Sequence, residues 1–592
     1  MSKIQKLELT WVGKNEQEEI EPRILVENPE LSHVYNTSKN GQMTFCDKDG
    51  NFDNMLIHGD NLLALKALEQ DFAGQVKCIY IDPPYNTGSA FEHYDDNLEH
   101  SIWLNLMNER LKLLKVLLKK DGVIFIQIGY DEMAYLKVLC DEIFGRDNCI
   151  GQVAVRMSHS AGMKRNAMDK RLIKNTEYIL VYYNEEVPVL KPLYEICSDY
   201  PVNYYHYINK EPNIDSNKGS FINLVDVLYD NLREEFQKFD LKKSNKSIDY
   251  LFKNSKKVQQ FIYENANKIV RKDSNAPTID ENTDIDVLEN EFFELKLNRE
   301  NVYNIGKNAK GNYFQLYRLS DKLKEIDEYD EDGNLIKVNR LTNLVGDWWD
   351  NFYKDMSRVD IEGNVKMKTS KKPERLIKWV LDLCSQENDL ILDSFLGSGT
   401  TCAVAHKMGR KWIGIEMGEH AYTLSKVRID AVVDGEQSGI SKAVNWQGGG
   451  SYKFYELAPS LVIKDSHGRE IINPEYNANM LAAAMAKHEG FKYSPDKENV
   501  YKQGFASEKS FIFTTTTHLT AEYLDEIAEH FTDEEFLVIN CKSFDGNISN
   551  NYKNIKIKKI PQSILGKCVF GKDNYNLNII NLPTEEGADE EN

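Results

Sequence analysis

The chain lacks the marks of several large protein classes. Its nine cysteines are spread over 592 residues, and no two form a C-x-x-C pair. That scatter argues against a zinc ribbon and suits a reducing compartment. No apolar run reaches the roughly 18 residues of a membrane-spanning helix, so no membrane partner is expected. The first residues, MSKIQKLELTWVGK, have no apolar segment of the secretory type. A cytoplasmic location is the resulting expectation. No G-x-x-x-x-G-K-[ST] occurs, which excludes a P-loop motor. Histidine and cysteine show no ligand spacing, so no metal is expected. Internal repeats are absent, and the acidic end is the only biased tract.

Positive charge is also in deficit, with a net charge of −20. Such a balance, averaged over the chain, disfavours a nucleic-acid partner. Its distribution says something else. Acid is concentrated in EIDEYDEDGN and in the tail TEEGADEEN, whereas Met163 to Lys174, Leu241 to Lys257 and Lys366 to Lys372 are basic. One such run is more often a solvated face than a phosphate grip. Three in one acidic chain favour a local basic cleft.

What is present is a globular composition, 41% hydrophobic and 11% aromatic, at a length that implies several domains. Residues 1–54 read as a weakly patterned N-terminal arm. From Met55 apolar strands (MLIHGDN, VKCIYI, GVIFIQIG, TEYILVYYN) alternate with amphipathic helices (LLALKALEQ, WLNLMNERLKLLKVLLKK, DEMAYLKVLCDEIFG). That rhythm predicts βαβ units and an α/β, doubly wound, largely parallel sheet. Over 191–365 the rhythm stops, and Asn, Lys, Asp and Tyr dominate around helical stretches such as SIDYLFKNSKKVQQFIYENANKIV. This predicts an inserted domain. The βαβ pattern resumes over 366–457, so the core divides into halves at 55–190 and 366–457. Residues 458–592 read as a small C-terminal α/β domain suited to protein contacts.

Two strand ends carry chemistry. In ILDSFLGSGTTCAVAH, a buried strand ends at Asp393, a turn holds Gly397 and Gly399, and a helix begins near Thr400. Strand, glycine turn and helix N-terminus form the usual seat of a nucleotide-type cofactor. The next strand, KWIGIEM, ends in Glu416, placed to hold ribose hydroxyls. In IYIDPPY, Asp82 ends a buried strand. Pro83 and Pro84 remove two N–H donors and stiffen the turn. Tyr85 offers a flat ring on which a base can stack. A carboxylate and a fixed carbonyl could accept both hydrogens of an exocyclic amine.

The pair DPPY and FLGSG resembles the paired signature of amino-group DNA methyltransferases, with the catalytic motif first as in their β class. GDNLLALKAL, DGVIFIQIGYDE, NTEYILVYYNE and KTSKKPERLIKWVL agree with it. KLELTWVGK, EPRILVENPE and DGEQSGISKAVNWQGGGSYKFYEL are similar to segments of the modification subunit of type III restriction-modification systems. The resemblance runs through most of residues 1–457. It implies an S-adenosylmethionine-dependent fold in which Asp82, Pro83, Pro84 and Tyr85 are catalytic. It implies cofactor contacts from Asp393, Phe395, Gly397, Ser398, Gly399, Thr400 and Glu416. Lys372 and Pro373 would pack at the methionine end, and Asp60 would lie by the adenine. An aspartate heading the catalytic motif favours adenine N6 over cytosine N4. The insertion would be the target-recognition domain. Double-stranded DNA, a second copy in a homodimer and a restriction (helicase-nuclease) subunit are the implied partners. A solitary methyltransferase, or a subunit serving mainly as recognition module for a cleaving partner, would carry the same motifs. The E-L-K triplet in DVLENEFFELKL is faintly nuclease-like, but its surroundings read as a polar helix and the match is assigned to chance.

Overall fold

The computed structural model describes residues 8–15, 19–35, 54–86, 100–159, 172–201, 203–212, 218–275, 290–297, 301–308, 310–329, 335–367, 371–548, 550–565, 567–568 and 570–571. Most of the basic run from Met163 to Lys174 and the acidic tail lie outside them. The chain forms two compact units, residues 1–191 with 346–592, and residues 192–345.

The first unit is built on one long sheet. Its strands run in the order Leu25–Glu27, Ser451–Leu457, Met55–His58, Lys411–Glu416, Leu390–Asp393, Val76–Ile81, Leu118–Ile128, Thr176–Tyr183, Cys149–Arg156 and Trp348–Trp349. The six from Ser451–Leu457 to Leu118–Ile128 are parallel to one another. Parallel strands must be covered on both faces, and these are. Ile79, Ile81, Ile124, Ile126, Ile128, Ile413 and Ile415 share one core with helices Asn61–Phe72, His100–Leu117 and Met133–Phe144. Alternation sends Cys78, Tyr80, Phe125 and Trp412 to the other face, where they are equally buried. Helices Glu374–Cys384, Thr400–Lys407 and Val427–Val433 belong to that second layer.

The α/β, largely parallel architecture read from the sequence is the one observed, with differences in detail. Thr176–Tyr183, expected in the parallel sheet, is antiparallel to Leu118–Ile128 and to Cys149–Arg156. A run buried on both faces carries no sign of its direction. Cys149–Arg156 was not anticipated, because only two of its eight residues are buried and its pattern is weak. The N-terminal segment, read as an arm, supplies short strands at Leu25–Glu27 and His33–Val34 that pair with Ser451–Leu457. Beyond the core, a five-stranded sheet in the order Lys492–Tyr493, Gly504–Ser507, Ser510–Leu519, Phe536–Phe544 and Ile555–Lys559 packs with helix Ala521–Ala528.

The second unit contains a closed six-stranded barrel of His206–Lys210, Lys218–Asn223, Glu291–Leu297, Asn301–Lys307, Tyr313–Arg318 and Ile269–Asp273. Phe221, Phe292, Phe314 and Ile208 pack within one cluster there. Helices Leu224–Asn231, Arg233–Lys238, Asn245–Asn254 and Lys256–Glu264 form a separate core with Tyr200 and Tyr204. The barrel is a correction to the sequence reading. The E-L-K triplet at Glu294 lies on a barrel strand, not a helix. At the root of the unit, the Val345 N–H donates to the Leu193 carbonyl at 2.9 Å.

Candidate functional site

Neighbouring parallel strands bring the two motifs together. Leu390–Asp393 pairs with Val76–Ile81, Leu392 opposite Ile79, so Asp82 and Asp393 emerge from adjacent carboxyl ends. In open α/β sheets this edge is where ligands sit.

Asp82 keeps 18% of its side-chain surface open, and its Oδ2 accepts an ion pair from Lys372 Nζ at 2.8 Å. Its Oδ1 is buried and has no hydrogen-bond partner among the described residues. Burial raises the Asp82 carboxyl above its ordinary value, and Lys372 pulls it back. Lys372 Nζ also faces Glu177 Oε2 at 3.5 Å and stands 5.0 Å from the centroid of the Tyr85 ring. Burial opposes the charge on Lys372, but Asp82 and Glu177 together hold its pKa above the usual lysine value. The Tyr85 hydroxyl donates to Glu177 Oε2 at 2.7 Å, and Gln127 Nε2 donates to the same oxygen at 2.5 Å. Gln127 Oε1 in turn accepts from Tyr80 at 2.5 Å. Burial pushes the Tyr85 phenol well up, so it stays protonated. The Trp103 indole donates to the Pro84 carbonyl at 2.9 Å, pinning the two-proline turn. Gly129 lies under the ring: a Cβ there would stand 3.0 Å from Tyr85 Cδ2.

Glu177 reaches this site because its strand runs backwards. In the antiparallel register Tyr178 faces Ile128, so the start of Thr176–Tyr183 lies at the carboxyl end of Leu118–Ile128. A parallel strand would have delivered Tyr183 instead. Glu177, Gln127 and Tyr80 were not singled out in the sequence. The only signal was polar residues at the ends of otherwise apolar strands.

The cofactor-type turn is equally tied down. Asp393 Oδ1 accepts the Phe395 N–H at 2.9 Å, and its Oδ2 accepts the Thr401 hydroxyl at 2.6 Å. Burial raises the Asp393 carboxyl to about 7. Gly397 (φ +56°) and Gly399 (φ +81°) take left-handed backbone. The Gly397 N–H donates to Glu416 Oε2 at 2.6 Å, while Glu416 Oε1 accepts from Met417 N and pairs with His420 Nε2, each at 2.8 Å. Burial works against the His420 charge, but Glu416 outweighs it and raises the imidazole pKa.

Ser398 and Thr400 exchange a hydroxyl contact at 3.3 Å, and Arg428 Nη1 donates to Thr400 Oγ1 at 2.6 Å. Thr400 Oγ1 also donates to the Lys372 carbonyl at 3.3 Å. Behind the turn, Glu374 is fully buried between Lys407 and Arg428, each 2.9 Å away. Pro373 stands at the start of the helix that carries Glu374.

Lys372 therefore touches both halves, its carbonyl on the cofactor-type turn and its ammonium on Asp82. Asp60 is committed elsewhere. Its Oδ1 caps helix Asn61–Phe72 through Leu62 N and Leu63 N, and its Oδ2 pairs with Arg110 at 3.2 Å. The adjacent Asn61 Nδ2 donates to the Ser394 carbonyl at 2.7 Å, so this helix start abuts the turn. No cluster of three or more metal-ligating side chains exists among the described residues. Nor is any described helix long and apolar enough to cross a membrane.

Comparison with known proteins gives this geometry a family. A DNA methylase family model matches residues 76–427. The HindVI Mod subunit of Haemophilus influenzae, described as a probable type III restriction-modification enzyme, is 38% identical over 426 residues. That match takes in 69% of this chain and 54% of the relative, so the chain spans about half of that protein. The type III EcoP15I Mod subunit of Escherichia coli is 22% identical over 619 residues, 94% of this chain and 89% of that protein. Among solved structures, the PvuII cytosine-N4-specific DNA methyltransferase is 12% identical with a TM-score of 0.31, over 67% of this chain and 91% of that one. So loose a superposition transfers no residues. The match through both motif-bearing halves is the firm result: this chain belongs to the N6/N4 DNA methylase family.

Proposed function

We propose that the protein is a site-specific DNA methyltransferase that uses S-adenosylmethionine to modify the N6 amino group of adenine, as the modification subunit of a type III restriction-modification system. The observation that carries this reading is the meeting, at adjacent strand ends, of an orphaned Asp82 oxygen with the glycine turn at Gly397. The Mod subunits from Haemophilus and Escherichia support the type III part. In this reading the protein works in the cytoplasm on double-stranded DNA, as a homodimer, beside a restriction subunit. The unit at 192–345 selects the target sequence.

The residues present fit the cofactor. A Cβ at Gly397 would enter open space, and Ser394 Oγ is buried without a partner among the described residues. Asp393, Phe395, Gly397, Gly399 and Glu416 would hold S-adenosylmethionine, which supplies the methyl group. The chain's own residues handle the base. A target inside a duplex must swing out of the stack. Tyr85, its hydroxyl fixed on Glu177, offers its ring for stacking. Asp82 and the Pro83 carbonyl accept the two amino hydrogens, which orients the nitrogen lone pair. As positive charge develops on nitrogen, Asp82 stabilises it and takes up the proton.

Single-molecule sequencing of DNA treated with the protein and S-adenosylmethionine tests the reading. N6-methyladenine in one short motif is expected, absent with Asp82→Ala. Methyl on cytosine N4 would overturn the base assignment. No modification, or an Asp82→Ala protein as active as the wild type, would overturn the reading as a whole.

A further inference from the structure

We infer that Lys372 and Glu177 form a charge clamp on the catalytic aspartate: Lys372 holds Asp82 ionised and oriented, and Glu177 balances Lys372 while anchoring Tyr85. The inference rests on the methyltransferase reading and adds two positioning residues to it.

The geometry carries the argument. Lys372 Nζ lies 2.8 Å from Asp82 Oδ2 and 3.5 Å from Glu177 Oε2, with only 7% of its side chain open. In so dry a place a lone carboxylate would protonate, and a lone ammonium would lose its proton. The triad avoids both. Two carboxylates around one ammonium leave a net charge of −1, a field that favours positive charge arriving on a target nitrogen. Once Asp82 has taken the proton the triad is neutral, and Glu177 keeps the remaining charge of Lys372 paired. The occupation of Oδ2 by Lys372 is also what leaves Oδ1 as the acceptor without a partner.

Glu177 performs a second task. Its Oε2 takes both the Tyr85 hydroxyl and the Gln127 amide, and Gln127 is held by Tyr80. The ring that would stack on the base is thereby fixed from its far end. The same lysine spans the ring at 5.0 Å, so stacking surface and charge are set by one group of contacts.

Removing either partner shifts Asp82 in opposite directions. The charged and titratable groups facing Asp82 are Lys372, Glu177, Tyr85, Tyr80 from its own strand, and Asp393 from the neighbouring strand. Among the described residues facing it, only Lys372 is a cation. Its loss raises the Asp82 carboxyl, and loss of the Glu177 charge lowers it.

The test compares Lys372→Met, Lys372→Arg and Glu177→Gln with the wild type. Single-turnover methylation rates are measured against pH, and S-adenosylmethionine affinity by calorimetry. Lys372→Met should slow transfer at least about tenfold and move the acid limb up by about one pH unit. Lys372→Arg should restore most of both. Glu177→Gln should move the acid limb down. Cofactor affinity should stay within about threefold throughout, which also reports that each variant is folded. Acid limbs unmoved in both Lys372→Met and Glu177→Gln would overturn the clamp. So would unchanged transfer with cofactor affinity weakened more than about tenfold, which would assign Lys372 to cofactor binding. Mass spectrometry of the digested DNA names the modified base. Methyl on cytosine N4 would overturn the adenine reading and leave the acid-limb comparison valid.

Discussion

The Gly397 N–H donates to Glu416 Oε2 across the tips of two parallel strands, at 2.6 Å. This bond sets the shape of the glycine turn before any ligand arrives. It also separates the roles of the two glycines. A Cβ at Gly397 would project into open space, whereas one at Gly399 would meet Ser425 Cα at 3.4 Å, an ordinary contact. Both sit at positive φ, so alanine at either costs about 1–2 kcal/mol in backbone strain. Gly397→Ala should in addition weaken S-adenosylmethionine binding by at least about tenfold, because the methyl enters the cradle. Gly399→Ala should lose similar stability with a smaller loss of affinity, because its methyl would face Ser425 rather than the cradle. Calorimetric titration beside thermal melting checks the pair, and equal affinities would refute the distinction.

Asp60 offers a second contrast. Its carboxylate caps a helix and neutralises Arg110, with both side chains almost wholly buried. Asp60→Ala loses a cap worth about 1 kcal/mol. It also removes the ion pair of the buried Arg110, at about 3–5 kcal/mol. A large drop in Tm is therefore expected, and Asp60→Asn should recover part of it by keeping the cap. If Asp60→Ala melted like the wild type but bound S-adenosylmethionine poorly, the adenine contact expected from the resemblance would be the better account.

The buried ionic group behind the turn predicts a pH effect on stability. Burial, aided by Glu374, raises the Glu362 carboxyl to about 7. The folded protein thus holds this proton more tightly than the unfolded chain. Stability from Glu362 is fully present below about 4.5 and is lost as pH rises through about 7. Glu362→Gln removes that loss and keeps an acceptor for the Glu374 N–H, now met by Glu362 Oε2 at 3.0 Å. The Tm of Glu362→Gln relative to wild type should climb between pH 5 and pH 8. A flat difference across that window would count against it.

How much of this was legible depends on how local each feature is. DPPY and FLGSG could be read because each lies on one strand end, within a few contiguous residues. The βαβ rhythm put both on one sheet, but their union into one site followed from the resemblance, since Val76–Ile81 pairs with the distant Leu390–Asp393 rather than with Met55–His58. Glu177 was hidden for a physical reason. Whether TEYILVYY runs up or down decides which of its ends meets Asp82, and apolar alternation is the same either way. Lys372 was read as a cofactor neighbour. Its carbonyl does meet Thr400, but its ammonium extends to Asp82, and side-chain reach is not written in a motif. The barrel was missed because four helices interrupt its strands between Asn223 and Ile269 and the polar residues of those strands mask the alternation.

The Val345–Leu193 hydrogen bond at the root of the second unit has a consequence for how this chain can change. The cost of closing a loop depends on the separation of its ends and only slowly on its length. With the ends of 192–345 tied to one another, the sheet that carries the chemistry experiences the whole unit as a short connection. Units of other lengths and folds could be grafted at the same root without restructuring the strands around Asp82. Under the proposed role of this unit in target selection, specificity can then diversify by exchange of a cassette while the reaction stays fixed.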